Sequence, residues 1–323
     1  MLFPHGHIQP LIKSTKIRVN SLLGISISLF LLWRITLAVV RQWKEMENPQ
    51  SWADGPIWMI MASLALMPMN LGLEIIKWRW LCRFAHPLTW KQTVLSFFAG
   101  ISLSFITPNR IGEYPGRLLY LRQKNTIRLI SVSLLGILSQ MISLFFFGAL
   151  GLIYAQWRFA GIFPRISLFL CLGAILLLGV IYIFYDFWYP FLGKIRWFRK
   201  WKVFGRLMVG IPRKHQAGIL GISGIKTLVY TAQYLILLDW AGVVPLGVES
   251  FFLSGLFFWT NAMIPGWFLL ELGQRSQIGV FIFSLVSENT LGIVAATVGL
   301  WLINLVIPSL VGSLIILRMK WIR

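Results

Sequence analysis

Negative charge is scarce in this chain. Ten acidic residues stand among 323, against thirty lysines and arginines. Charged residues make up 12% of the whole, about half of the roughly 25% usual in a soluble domain, which excludes an ordinary soluble enzyme. Cysteine occurs twice, as Cys82 and Cys171, far apart and in or beside apolar runs, so neither a disulfide framework nor a Cys-based metal site is available. Histidine is rare as well, and His86 and His215 sit in basic loops with no ligand spacing around them. No nucleophile–base pair is legible, and the glycines match no phosphate-loop motif. These absences point away from an enzyme and predict neither a metal nor a cofactor.

Apolar residues are what the chain has in quantity. They make up 57% of it, with a mean hydropathy of +0.75, which identifies an all-α polytopic membrane protein. Six runs, at 22–40, 57–76, 129–154, 166–188, 217–240 and 291–317, reach the ~20 residues a helix needs to cross a bilayer. Spans and short loops take up the chain, so 1–323 reads as a single transmembrane domain. The first run follows a basic lead, contains Trp33 and Arg34 and ends without a small-residue cleavage site, so it is expected to be a retained helix and not a signal peptide.

The net charge of +20 is not spread evenly. Basic residues gather in the N-terminal tail (Lys13, Lys16, Arg18), after the second span (Lys77, Arg79, Arg83, Lys91), and near Arg122, Lys124 and Arg128. They recur in a central loop at 189–216 and at the C-terminus (Arg318, Lys320, Arg323), whereas the alternate loops are neutral or acidic. This is the positive-inside distribution, and it argues for membrane topology and contact with anionic lipid instead of nucleic acid. It places both termini and the 189–216 loop in the cytoplasm, as in a bacterial inner-membrane protein.

Two segments of similar construction stand in the two halves. Each has an apolar stretch rich in small residues (93–108 and 250–265), a proline (Pro108, Pro265), a glutamate, and an arginine four residues further on. Glu113 stands this way before Arg117, and Glu271 before Arg275. Had the first stretch crossed fully, Arg122, Lys124 and Arg128 would lie outside, against the charge rule. Both segments are therefore expected to be re-entrant helical hairpins, entering from opposite faces. The chain then divides into repeats of opposite orientation at 57–155 and 217–317, an arrangement common in transporters. The run 278–286 reads either as a return arm or as part of a further span.

Ionisable groups at membrane depth are costly, about 2.5–3.5 kcal/mol each at a helix centre on insertion scales, and they mark sites. The candidate substrate-binding residues are Arg110, Glu113, Arg117, Glu271 and Arg275, expected to converge near the midplane. Asn70 and Glu74 share a helix face near the cytoplasmic end of the second span. Each has a plainer reading. The Glu–Arg pairs suit ordinary i,i+4 ion pairs, Arg110 suits an interfacial anchor, and Glu74 with Lys77 suits a snorkelling pair. Gln140 and Asn304 read as interhelical hydrogen-bond partners, and Ser96, Gly100 and Ser104, like Ser254 and Gly255, as sites of close helix approach. Trp33, Trp52, Trp58, Trp78, Trp80, Trp188 and Trp240 lie near span ends and read as an interfacial belt.

The same residues carry a resemblance. Trp78-Arg79-Trp80, followed by an apolar stretch and then Pro108, Gly112, Glu113 and Arg117, is similar to the lysylphosphatidylglycerol synthase transmembrane-region family. So is the run Glu271-Leu272-Gly273-Gln274-Arg275. The resemblance implies a flippase-like membrane domain without the soluble aminoacyl-transfer domain of bifunctional members. The function expected from it is translocation of a polar, phosphate-bearing lipid headgroup between leaflets. The alternatives are a membrane-embedded lipid-modifying transferase or a non-transporting accessory that recruits one. The expected partners are membrane lipids, with a second copy of the chain or an enzyme as further possibilities.

Overall fold

The computed structural model describes residues 55–105, 107, 112–118, 126–184, 186–187, 211–264 and 271–317, together with Trp33 and Leu37. The run at 22–40 falls almost wholly outside these residues, as does most of the 189–216 loop. Every regular element among the described residues is helical: α1 (Ile57–Arg83), α2 (Trp90–Phe105), α3 (Glu113–Leu118), α4 (Thr126–Arg158) and α5 (Arg165–Ile183). They continue with α6 (Arg213–Trp240), α7 (Val248–Met263), α8 (Glu271–Phe283), α9 (Thr290–Trp301), a π-helical turn (Leu302–Val306) and α10 (Ile307–Leu317). Five helical runs are long and apolar enough to cross a membrane: α1, Arg128–Arg158, α5, α6 and the continuous run Thr290–Leu317. The protein is an all-helical polytopic membrane protein.

Interhelical contacts fix the directions of α1, α4, α6 and α9. Helix α1 runs antiparallel to α6: the Gly55 N–H donates to the Trp240 carbonyl at 3.0 Å, Gln233 Nε2 to the Ser63 carbonyl at 3.0 Å, and Lys226 meets Glu74. Helix α4 runs parallel to α6, with Ser139 Oγ 2.9 Å from Ser223 Oγ and Gln140 on Thr227. It is therefore antiparallel to α1, and α2 and α3 depart from the Arg83 end of the bundle and return to it. Helix α9 runs antiparallel to α6, since Asn289 Nδ2 donates to the Ala241 carbonyl at 2.7 Å and Tyr234 shares a 2.8 Å hydrogen bond with Thr297. Helices α7 and α8 thus depart from and return to the Trp240 end, opposite to the first pair.

The two broken segments pack across the halves. Helix α7 lies along α4, and α2 lies along α10. Small residues permit this: a methyl group built on Gly255 would stand 2.6 Å from the Phe147 carbonyl oxygen, and Ser102 Oγ donates to the Ser309 carbonyl at 2.8 Å. Without a hydrophobic drive between helices in lipid, close packing and such hydrogen bonds hold the bundle together. At 16 residues each, α2 and α7 reach only about 24 Å at 1.5 Å per residue, short of the ~30 Å apolar core.

Two expectations are sharpened. Residues 278–283 of the run 278–286 form the end of the 13-residue helix α8, which closes at Phe283, and α8 is not among the helices long enough to cross a membrane. The span expected at 166–188 closes at Ile183, where Phe184 caps it. In the last span, Pro308 offers no N–H to the carbonyl of Asn304, and the preceding turn opens into the π-helix at Leu302–Val306. Outward faces are apolar, with Phe169, Leu170, Leu176 and Leu177 on α5 more than half exposed, as a lipid-facing surface requires.

Candidate functional site

The α1–α6 crossing carries a cluster of buried charges. Glu74 on α1 accepts from Lys226 Nζ on α6 at 2.7 Å, pairs with Lys77 one turn along its own helix at 2.8 Å, and accepts from Arg117 Nη2 on α3 at 3.2 Å. Arg117 also pairs with Glu113 within α3. Side-chain exposure is 3% for Lys77, 4% for Arg117, 14% for Glu74 and 26% for Lys226. Three cations face two anions, leaving one positive charge in excess among the described residues.

Local chemistry puts each group in place. Helix α3 begins at Glu113, where an acidic side chain is favoured by the helix dipole, and its 113/117 face carries both charges of the pair. Ahead of it, the Gly112 N–H donates to Thr107 Oγ1 at 2.7 Å and closes the turn from α2. Helices α2 and α3 touch through glycine. A methyl group on Gly116 would lie 2.7 Å from both the Ala99 carbonyl oxygen and Gly100 Cα, so only glycine lets α3 press Arg117 against α1. The Arg117 guanidinium lies over the Trp78 ring at 4.8 Å and the Phe97 ring at 5.4 Å, an arrangement that favours a desolvated cation. Arg117 Nε is buried and has no protein acceptor among the described residues, so it retains a donor for a further oxygen.

A polar chain leads from the cluster toward the bundle centre. Lys77 Nζ donates to Gln140 Oε1 at 3.3 Å, and Gln140 Nε2 donates to Thr227 Oγ1 at 3.0 Å. One side of the same crossing holds Asn70, whose Nδ2 donates to Asn304 Oδ1 at 2.7 Å. Asn304 stands within the π-helical turn, a feature frequent at functional positions. Gln140 and Asn304 are thus interhelical partners, as their positions in apolar spans suggest.

Of the seven expected site residues, Glu74, Glu113 and Arg117 come together, and Asn70 lies one helical turn from Glu74. Arg110 and the side chain of Glu271 lie outside the described residues. Arg275 is half-buried on α8, a helix that packs on α7 and α9 and not among the helices that supply the charge cluster. The Glu113–Arg117 pair exists, and it is one side of a larger network and not an isolated i,i+4 pair. Trp78 does not belong to an interfacial belt. It is 1% exposed, with its Nε1 donating to Ser96 Oγ at 3.0 Å, because it forms the floor beneath Arg117. Sequence reasoning overlooked Lys226 altogether. Its signal was present: a lone lysine midway along an apolar span, beside Ser223 and Thr227 on one helix face.

Among the described residues no group of His, Cys, Asp or Glu could hold a metal ion. Comparison with curated proteins yields no match. Residues 21–321, nearly the whole chain, match the family described as lysylphosphatidylglycerol synthase TM region. The protein therefore belongs to the lysylphosphatidylglycerol synthase transmembrane-region family.

Proposed function

We propose that this protein is a lipid translocase that moves a polar, phosphate-bearing headgroup between leaflets of an inner membrane. The observation that carries the reading is the buried cluster with one positive charge in excess. A lone uncompensated charge at membrane depth is costly, and an anionic headgroup would neutralise it. Arg117 supports the role, since its spare Nε donor suits a phosphate oxygen and its guanidinium is always charged.

The packing of the halves supports an inverted repeat. In this reading α1, the α2–α3 hairpin and α4 form one unit, and α6, the α7–α8 hairpin and the α9–α10 span form the other. In the same reading the hairpins are re-entrant, and the basic residues at the Arg83 end favour a cytoplasmic position for that end. Lys226 belongs to one unit and Glu74 to the other, so rocking the units against each other would remake this contact and expose the headgroup to the opposite leaflet.

Leaflet-resolved lipid transport in proteoliposomes tests the reading. The wild-type chain should accelerate exchange of anionic phospholipids, and Lys226→Met should abolish the acceleration while the protein remains folded. Equal transport by both proteins would refute it.

A further inference from the structure

Resting on that reading, we infer that the site has two parts, and that the lipid whose phosphate meets Arg117 seats one acyl chain in a groove between α3 and α4. The groove has a volume of about 240 Å³ and is lined by Tyr114, Pro115 and Leu118 of α3 and by Ile130, Ser133, Leu134 and Ile137 of α4. Its lining is apolar throughout, because Ser133 turns its hydroxyl back onto the Leu129 carbonyl at 2.7 Å. Pro115 at the rim is exposed, so the groove is open to the surrounding lipid.

Helix α3 joins the two parts. Residues 113 and 117 stand four apart and share the face that meets Glu74. Residues 114 and 118, each one position on, line the groove. The charged site and the apolar groove are therefore adjacent faces of one short helix, separated by no more than a helix diameter of about 10–12 Å. A phospholipid has this construction, a monoanionic phosphodiester joined to apolar chains. Ordinary ligand pockets run to about 300–1,000 Å³, so 240 Å³ suits a segment of one chain and not a whole small molecule. A second apolar groove, lined by Leu150, Ile153, Tyr154, Trp157 and Phe252, has a similar volume of about 240 Å³. It borders the exposed Arg158–Glu249 pair at 3.9 Å, where the described residues offer no buried charge to hold a headgroup. The occupant is therefore assigned to the first groove alone.

Binding to the purified full-length chain distinguishes the parts, with dioleoyl and dihexanoyl phosphatidylglycerol as probes. Ser133→Phe fills the groove and should weaken the dioleoyl lipid about tenfold or more, as expected for several methylenes left unburied, while dihexanoyl binding, with fewer methylenes to lose, should weaken less. Lys226→Met should weaken both. A phosphatidylglycerol with a photoreactive group in one acyl chain should label Leu134 or Ile137 in the wild type, and much less in Lys226→Met, a comparison independent of how Ser133→Phe folds. If both lipids depend on Lys226 but Ser133→Phe and the labelling pattern show no dependence on the groove, the acyl seat is overturned and the translocase reading stands. If the labelling is unchanged by Lys226→Met, the groove holds bulk lipid only and the inference is refuted. If neither lipid binds the wild type, the headgroup reading itself fails and the seat with it.

Discussion

Removing either partner of the Glu74–Lys226 pair should have very different consequences, because among the described residues the cluster carries three cations and two anions. Glu74→Gln would leave three cations against one anion. At an effective dielectric of about 20, two unit charges 4 Å apart interact by ~4 kcal/mol, and Glu74 makes three contacts at 2.7, 2.8 and 3.2 Å. Desolvation offsets most of that attraction, but breaking a buried pair still costs about 3–5 kcal/mol. Lys226→Met instead leaves two cations against two anions. Glu74 keeps Lys77 and Arg117, and Lys226 is a quarter exposed, so the loss should stay within ~1 kcal/mol. Combined with Glu74→Gln, it should recover stability, with a coupling of about 0.5–3 kcal/mol. The protein supplies its own reporter. Cys82 and Cys171 are both free and buried, so thermal unfolding in detergent can be followed by their reaction with a fluorogenic maleimide. If Lys226→Met destabilises as much as Glu74→Gln, the excess positive charge is not a property of the cluster and Lys226 is scaffold. Transport read in parallel should fall with both single variants, but only Glu74→Gln should also lower the unfolding temperature.

Gly116→Ala should push α3 off α2 and cost transport more than any methyl elsewhere on α3, since its Cβ would lie 2.7 Å from Gly100 Cα; an unchanged transport rate would show that the hairpin is loosely held. Gln140→Leu removes an acceptor of Lys77 and the donor to Thr227 while the Lys77–Glu74 pair stays in place, and should destabilise by about 1–3 kcal/mol through the hydrogen bonds lost to a buried cation and hydroxyl, measured by the same cysteine assay. Asn304→Leu leaves the buried Asn70 Nδ2 without its acceptor and should destabilise by about 1–3 kcal/mol, read as a lower unfolding temperature in the same assay. Single cysteines placed at Arg83, Arg128 and Arg213 in a background lacking Cys82 and Cys171 should label from one side of the membrane, and those at Ile162 and Leu246 from the other. Labelling of Arg83 and Arg128 positions from opposite sides would refute the hairpin reading.

The sequence by itself determined the class. Apolar runs of spanning length, the placement of basic residues and the shortness of the proline-ended segments together required a polytopic helical bundle with two interrupted elements. It also marked Glu113 and Arg117, because an ion pair beside a broken apolar stretch has no cheap explanation in a membrane. Asn70 and Glu74 were legible as a shared face, and Gln140 and Asn304 as polar groups that had to find partners. Hydropathy is a property of a window, however, and it averages over a single residue. Lys226 vanished into its span for this reason, although it proved to be the nearest partner of Glu74. Which helices meet was decided by tertiary structure alone. Glu74 and Lys226 lie 152 residues apart, and their contact follows from the antiparallel crossing of α1 and α6. Trp78 shows the same division: near a span end it looked like an interfacial anchor, until the close approach of Gly100 and Gly116 brought Arg117 down onto its ring. Local spacing can announce a charge that needs a partner, but only the packing of distant helices names the partner and leaves one positive charge in excess among the described residues.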